Sequence, residues 1–348
     1  MSRRCIAALL LTSMAVFFPL MAIAEDAAPK YRVTASIALG APDRWDYVVF
    51  DSDLQRIFVA HGSQLSVVDN RTAKVVGTVG TFNGGTHGTG ISFSTGTGYT
   101  DDGKAGIAVP FDLKTLRTGK PIVTAPDADG IVFDPFSRHI LVINGDSGSV
   151  SVIDPTKNSV VATVTVGAGL EAGIADGRGS FFVDGAENHE ILRISTATNT
   201  VESHWPMPAC ERPHGIAMDR ETRRIFATCS NKVMVVVDAD TGKNLTSLPI
   251  GSFSDGAAFD PIRKLAFSAN GDGTLSVIKE QDLNTFVALP PITTVPSART
   301  MDIDPQTGRL FLAAADIGKV DPSATPGGRP HVTYAPGSLR LIFMDPQF

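Results

Sequence analysis

The sequence is poor in cysteine, in aromatic residues and in charge. Its 348 residues include three cysteines and two tryptophans, and only 19% are charged. Three cysteines allow one disulfide at most. Basic residues are outnumbered, with 30 Lys and Arg against 36 Asp and Glu and a net charge of −6. That balance argues against general binding to phosphate backbones, which needs clustered Lys and Arg. Three short catalytic or cofactor motifs are missing as well. There is no G-x-S-x-G, no H-E-x-x-H and no C-x-x-C-H, so no nucleophile elbow, zincin helix or haem attachment is written in the sequence. Against these absences stand 33 glycines and 22 prolines, a composition that favours many short strands and turns over long charged helices.

One long apolar run exists, and it lies at the N-terminus. Arg3 and Arg4 precede "CIAALLLTSMAVFFPLMAIA", which closes on Ala22-Ile23-Ala24. A basic start, an apolar stretch and a small-x-small ending predict a cleaved export signal over residues 1–24. Cys5 lies too early, and without a lipobox, to be lipidated. The mature chain, 25–348, is then expected in the periplasm or outside the cell, with no membrane span after cleavage. Loss of Arg3 and Arg4 makes it still more acidic. Cys210 and Cys229 remain, in a compartment where a disulfide can persist.

The mature chain repeats. Short apolar runs end in a polar residue at Asp51, Ser92, Asp134, Asp176, Asp219, Asp260 and Asp304, a period of about 42 residues. An apolar or aromatic residue recurs about seven positions later, at Phe58, Tyr99, Leu141, Phe182, Phe226, Phe267 and Phe311. A second register ends at Asp69, Asp112, Asp154, Ser195, Asp238 and Lys279. Each copy reads as four short strands joined by Asp-Pro, Asn-Gly and similar turns. Four-stranded units at this period predict an all-β, seven-bladed β-propeller forming a single domain. The last copy, "SLRLIFMDPQF", stops on a third strand, while "YRVTASIALG" near the start of the mature chain resembles a fourth. The N-terminal strand should therefore complete the C-terminal blade and remove the open edges. Blade seven also carries extra sequence at about 315–338, with His331 and Tyr334, which predicts an irregular loop over the top face.

The stretch "LVINGDSGSVSVIDPTKNSVVATVTVG" (141–167) resembles the YVTN repeat, and "FSANGDGTLSVI" (267–278) repeats it. The chain is similar to the YncE-like bacterial periplasmic β-propellers along essentially all of its mature length. The resemblance implies the propeller fold and leaves the role open, because one fold hosts many activities. Three further stretches carry no cofactor. "GYTDDGKA" (98–105) has Ala105 where a phosphate loop needs Ser or Thr. "GAGLEA" (167–172) links two strands instead of opening a helix. "DADTGK" (238–243) resembles the quinoprotein repeat once, without its tryptophan.

In a propeller the first strand of each blade lines the central channel. Five residues before each strand-ending position stand Asp46, His87, Asp129, Glu171, His214, Asp255 and Arg299. All seven are polar, which predicts a ring at the top-face channel mouth. Such residues can cap strand ends, and Asp255 and Arg299, neighbours in the ring, can pair. The same ring, with Trp45 beside it, can bind a small molecule or a periplasmic protein without chemistry, its acid excess favouring a cation. His87 and His214 could hold a divalent metal, although they lie nearly across the channel. His214, Glu171 and Arg299 could serve a lactonase-like hydrolase or an isomerase. No other cofactor is indicated, and a monomer is expected. Cys210 and Cys229 fall in top-face loops of one blade, so a disulfide there would tether the loop carrying His214.

Overall fold

A computed structural model of the chain describes residues 29–167, 169–322 and 331–347. The export signal expected at residues 1–24 lies outside the described residues, as does the tip of the blade-seven insert. Seven four-stranded antiparallel sheets follow one another along the chain, each in simple up-and-down order. They are the seven blades of a β-propeller. The repeated acid at the end of the first strand, present in every blade but the second, closes the turn to the second strand. Asp51, Asp134, Asp219 and Asp260 accept hydrogen bonds from the backbone N–H groups two or three residues on. The second-register acids do the same with a threonine: Asp69, Asp112 and Asp238 each accept from both the backbone N–H and the hydroxyl of the residue three positions later. These side chains replace backbone partners that the turns cannot supply.

The core lies between blades. Phe58, Tyr99, Leu141, Phe182, Phe226, Phe267 and Phe311 are all buried, one on the second strand of each blade. They contact the neighbouring blade's apolar face. Phe226 of blade five stacks on Phe259 of blade six with ring centroids 5.3 Å apart. Each such ring removes a large apolar area from water, worth roughly 2–3 kcal/mol by transfer from solvent.

Closure follows the sequence expectation. The strand Lys30–Ala38 pairs antiparallel with Arg340–Gln347, and blade seven reads in the order closing strand, last strand, Leu310–Ala314, Thr300–Ile303. Arg309 fixes the junction through both oxygens of Asp345 at 2.6 and 2.9 Å. The insert departs from expectation. Its described parts form a two-stranded hairpin, Ile317–Asp321 against His331–Tyr334, instead of an irregular loop. The alternation in "IGKVD" and "HVTY" supplies two strands that pair only with each other.

Candidate functional site

The ring residues sit where the first strands begin, and bulges position several of them. In blade five the ladder pairs Pro213 with Cys229 and Gly215 with Thr228, so His214 is an extra residue. Blade six does the same with Asp255, between Ser254 and Gly256. In blades three and four the register shifts across Asp129-Gly130 and across Glu171-Ala172. A bulge breaks the alternation of a strand and re-aims one side chain. Here it allows a polar side chain to stand at the mouth while the strand below continues its packed pattern.

The next residue in four blades is glycine, for a steric reason. A Cβ on Gly88 would lie 2.3 Å from the Asp129 carbonyl oxygen, and one on Gly256 would lie 2.9 Å from the Met301 backbone nitrogen. Neighbouring first strands approach too closely there for a side chain. Blade one breaks this pattern with Tyr47, whose ring packs against the apolar cluster containing Ala172 and Ile216 of blades four and five. It therefore reaches across the channel. Below the mouth the remaining space is a cavity of about 160 Å³, lined by Tyr47, Val49, Gly130, Gly173, Gly215 and Asp302 among others.

The charges at the mouth act on one another. Burial pushes the Asp46 carboxyl up to about 7; Asp255 adds to this, while His87 and Arg299 oppose it. Burial likewise holds Asp129 well above the usual carboxylate range, reinforced by Asp46. Its Oδ1 is shielded from solvent and accepts no hydrogen bond among the described residues. Tyr47 is held well above the ordinary phenol range by burial and by Asp129, Asp46 and Glu171, so it remains a neutral hydroxyl. His87 is the counterweight. Burial alone would lower its pKa, but the hydrogen bond and charge of Asp101, with Asp129 and Asp46, raise it to about 9.

Asp101 joins the candidate site through His87, and ring counting missed it. It lies on the second strand, Thr97–Asp102, and accepts from His87 Nδ1 at 2.7 Å and from the backbone N–H groups of His87 and Gly88. Asp184 occupies the same penultimate position on Ser180–Gly185, opposite the Glu171-Ala172 bulge. It is fully buried, neither oxygen has a partner among the described residues, and burial with the charge of Glu171 holds its carboxyl well above the usual range. The signal was present in the sequence. The corresponding residues of blades one, three, five and six are Ala60, Ile143, Thr228 and Ala269, so an acid there is out of pattern.

Arg299 is held by its neighbours. It donates from Nε to Asp255 at 2.8 Å, from Nη2 to the Trp45 carbonyl at 3.1 Å and from Nη1 to Tyr334 Oη at 3.4 Å. Its guanidinium lies 4.5 Å from the Trp45 ring centroid, and Tyr334 packs on the other ring contact of Trp45 at 4.9 Å. Trp45 is thus buried beneath Arg299 and the insert, and its ring faces protein. The pairing of Asp255 with Arg299 takes one acid and the one arginine of the ring out of the free balance. Asp46, Asp129 and Glu171 remain as the acidic arc.

His214 joins two blades. Its Nδ1 lies 3.4 Å from Glu171 Oε1, and its Nε2 lies 2.8 Å from the Ser230 hydroxyl. The donor set does not suit a metal ion. His87 is protonated against Asp101, both nitrogens of His214 face protein groups, and among the described residues no three His, Cys, Asp or Glu side chains converge as ligands. The Cys210–Cys229 disulfide is formed, with Cα atoms 5.4 Å apart, and it ties the loop before His214 to the strand before Ser230.

No protein-family model matches the sequence, and no curated protein matches it significantly. Solved structures do match in fold. The chain superposes on the WD40 repeats of RRP9 with a TM-score of 0.74 at 11% identity, covering 91% of this chain and 97% of that one. U3-55K gives a TM-score of 0.73 at 12% identity over 90% and 98% of the two chains. Hydrazine synthase of Kuenenia stuttgartiensis gives 0.69 at 14% identity over 78% and 92%. At these identities the likeness is one of architecture. The chain is a seven-bladed β-propeller.

Proposed function

We propose that this chain is an exported YncE-like propeller whose top-face mouth binds a small ligand through a protonated amine or guanidinium. The observation that carries this reading is the Asp129 carboxyl: one oxygen is shielded and partnerless, and Asp46 and Glu171 stand with it on the same rim. Without a cation Asp46 and Asp129 repel one another, and burial holds both carboxyls above the usual range. A cationic group would supply the missing donors and favour the ionised form of Asp46 and Asp129. A lysine or arginine of a protein partner would offer the same group, but the narrow channel behind Tyr47 favours a small molecule. Export is supported by the N-terminal sequence and by a disulfide, which oxidising compartments preserve. No helix among the described residues is long and apolar enough to cross a membrane.

Titration calorimetry with arginine, spermidine and choline as probes tests the reading. The expected result is saturable binding that releases protons near pH 7, because a cation lowers the pKa of Asp46 from about 7, and that weakens at least tenfold in Asp129→Asn. Absence of heat with every probe, or equal binding by Asp129→Asn, would overturn it.

A further inference from the structure

We infer that Ser230, His214 and Glu171 form an acyl-transfer triad on the rim of the mouth, acting on small esters or lactones. The inference goes beyond binding. Only a preference for substrates bearing a cationic group rests on the binding reading.

Ser230 lies in the turn between the second and third strands of blade five, Arg224–Cys229 and Val233–Asp238, and is exposed. Its hydroxyl can be reached by a substrate. His214 is the opposite case, with only 5% of its side chain exposed. An enclosed imidazole next to an exposed hydroxyl is the arrangement that a general base and its nucleophile require. The 2.8 Å separation of Nε2 and Oγ is within hydrogen-bond reach. The hydroxyl's other neighbour, the Arg212 carbonyl, is farther at 3.4 Å.

Glu171 comes from the adjacent blade and selects the tautomer. A carboxylate oxygen 3.4 Å from Nδ1 favours the proton on that nitrogen. Nε2 is then left with a lone pair aimed at Ser230. Separations in the free enzyme are often looser than in the complex.

The nucleophile is also held in place. The Ser230 N–H donates to the Glu211 carbonyl at 2.8 Å. Asn231 accepts from the Glu211 N–H and donates to the Ala209 carbonyl, both at 3.0 Å. The disulfide precedes Ser230 by one residue. Four ties therefore fix the turn to the loop that carries the base. The backbone N–H of Asn231, directly after the nucleophile, donates to no acceptor among the described residues. That is where an oxyanion donor is needed.

In the proposed reaction Ser230 Oγ attacks the ester carbonyl carbon while its proton passes to His214 Nε2. The carbonyl oxygen takes the negative charge against Asn231 N–H. The ester C–O bond then breaks, and the leaving alcohol takes the proton from Nε2. Water attacks the acyl-serine, gives a proton to Nε2, and the Oγ–C bond breaks with return of that proton to Ser230. Electrons and protons balance with water as the only co-reactant. Glu171 acts through His214 and is a positioning residue.

The test is labelling of the intact protein with a fluorophosphonate probe, read by peptide mass spectrometry. The expected result is one adduct on Ser230, none in Ser230→Ala, and a rate at least tenfold slower in His214→Gln. Glu171→Gln should move the pH midpoint of labelling, which a merely structural role would not do. Melting curves verify that each variant folds. No adduct, an adduct elsewhere, or an unchanged rate in a folded His214→Gln would overturn the inference. If Ser230→Ala still binds the cationic probes and the wild type takes no label, the triad fails and the binding reading stands.

Discussion

His87 Nδ1 and Asp101 Oδ2 lie 2.7 Å apart inside blade two, on adjacent strands of one sheet. The carboxylate is fully buried and the imidazole is 14% exposed, and the charge of the protonated His87 offsets that of its own partner inside an acidic mouth. The sign of its pH dependence follows. His87 titrates at about 9 when folded and near 6.5 when unfolded, so the folded state holds the proton more tightly. This stability is fully present below about pH 6.5 and is lost as the pH rises through about 9. Urea melts should show a decline through about pH 9 that is reduced in Asp101→Asn, the remainder coming from the raised carboxyls of Asp46 and Asp129; the variant should also lose about 2 kcal/mol near neutrality. A pH-independent wild type would refute the ion pair.

How much of this was legible beforehand depends on what the repeat constrains. The period determines the blades, and closure was visible because a blade lacking a strand and a strand lacking a blade stood at opposite ends. Ring positions could be counted because each strand-ending acid gives a fixed reference. Asp101 and Asp184 stood outside that count. They sit on second strands, where the pattern is apolar and a side chain's partner comes from another strand. Ser230 was invisible for a similar reason. Its proximity to His214 arises from a turn and a loop 16 residues apart, joined by a disulfide and not by any local motif.

Reduction of Cys210–Cys229 should cost about 3 kcal/mol, the chain-entropy value for a loop of this size. The local effect should be larger than the global one. The bond spans the loop before His214 and the strand before Ser230, so its loss frees both. Hydrogen exchange with and without reductant should show faster exchange confined mainly to residues 209–214 and 229–232. Uniform change over the whole propeller would contradict this assignment.

Arg299 should be needed to cover Trp45. Arg299→Met removes the donors to Asp255, to the Trp45 carbonyl and to Tyr334, and the expected loss is about 2 kcal/mol, since these groups retain some solvent screening. Arg299→Lys should recover only part of it, because a single ammonium cannot span three acceptors in a fixed fork. Trp45 should then be wetter. Its emission, isolated in a Trp205→Phe background, should shift to longer wavelength in both variants. An unshifted emission in Arg299→Met would mean that the insert, not the arginine, covers the ring.

Tyr47 carries the last prediction. It stands one residue after Asp46, where blades two, three, five and six have Gly88, Gly130, Gly215 and Gly256. Restoring the repeat with Tyr47→Gly would remove the one large side chain among the seven residues at that level, and with it the packing against the apolar cluster of blades four and five. The cavity term should destabilise the fold by about 2 kcal/mol. In the proposed complex the ring would offer a π face to a cation held by Asp129 and Glu171, worth about 1–2 kcal/mol where water is excluded. Binding of the cationic probes should therefore weaken roughly tenfold in Tyr47→Gly. Tyr47→Phe keeps the ring and loses only the hydroxyl, so it should bind nearly as well as wild type. If instead Tyr47→Phe binds as poorly as Tyr47→Gly, the hydroxyl and not the ring meets the ligand. If Tyr47→Gly binds as wild type, the ligand does not reach the channel below the ring of acids.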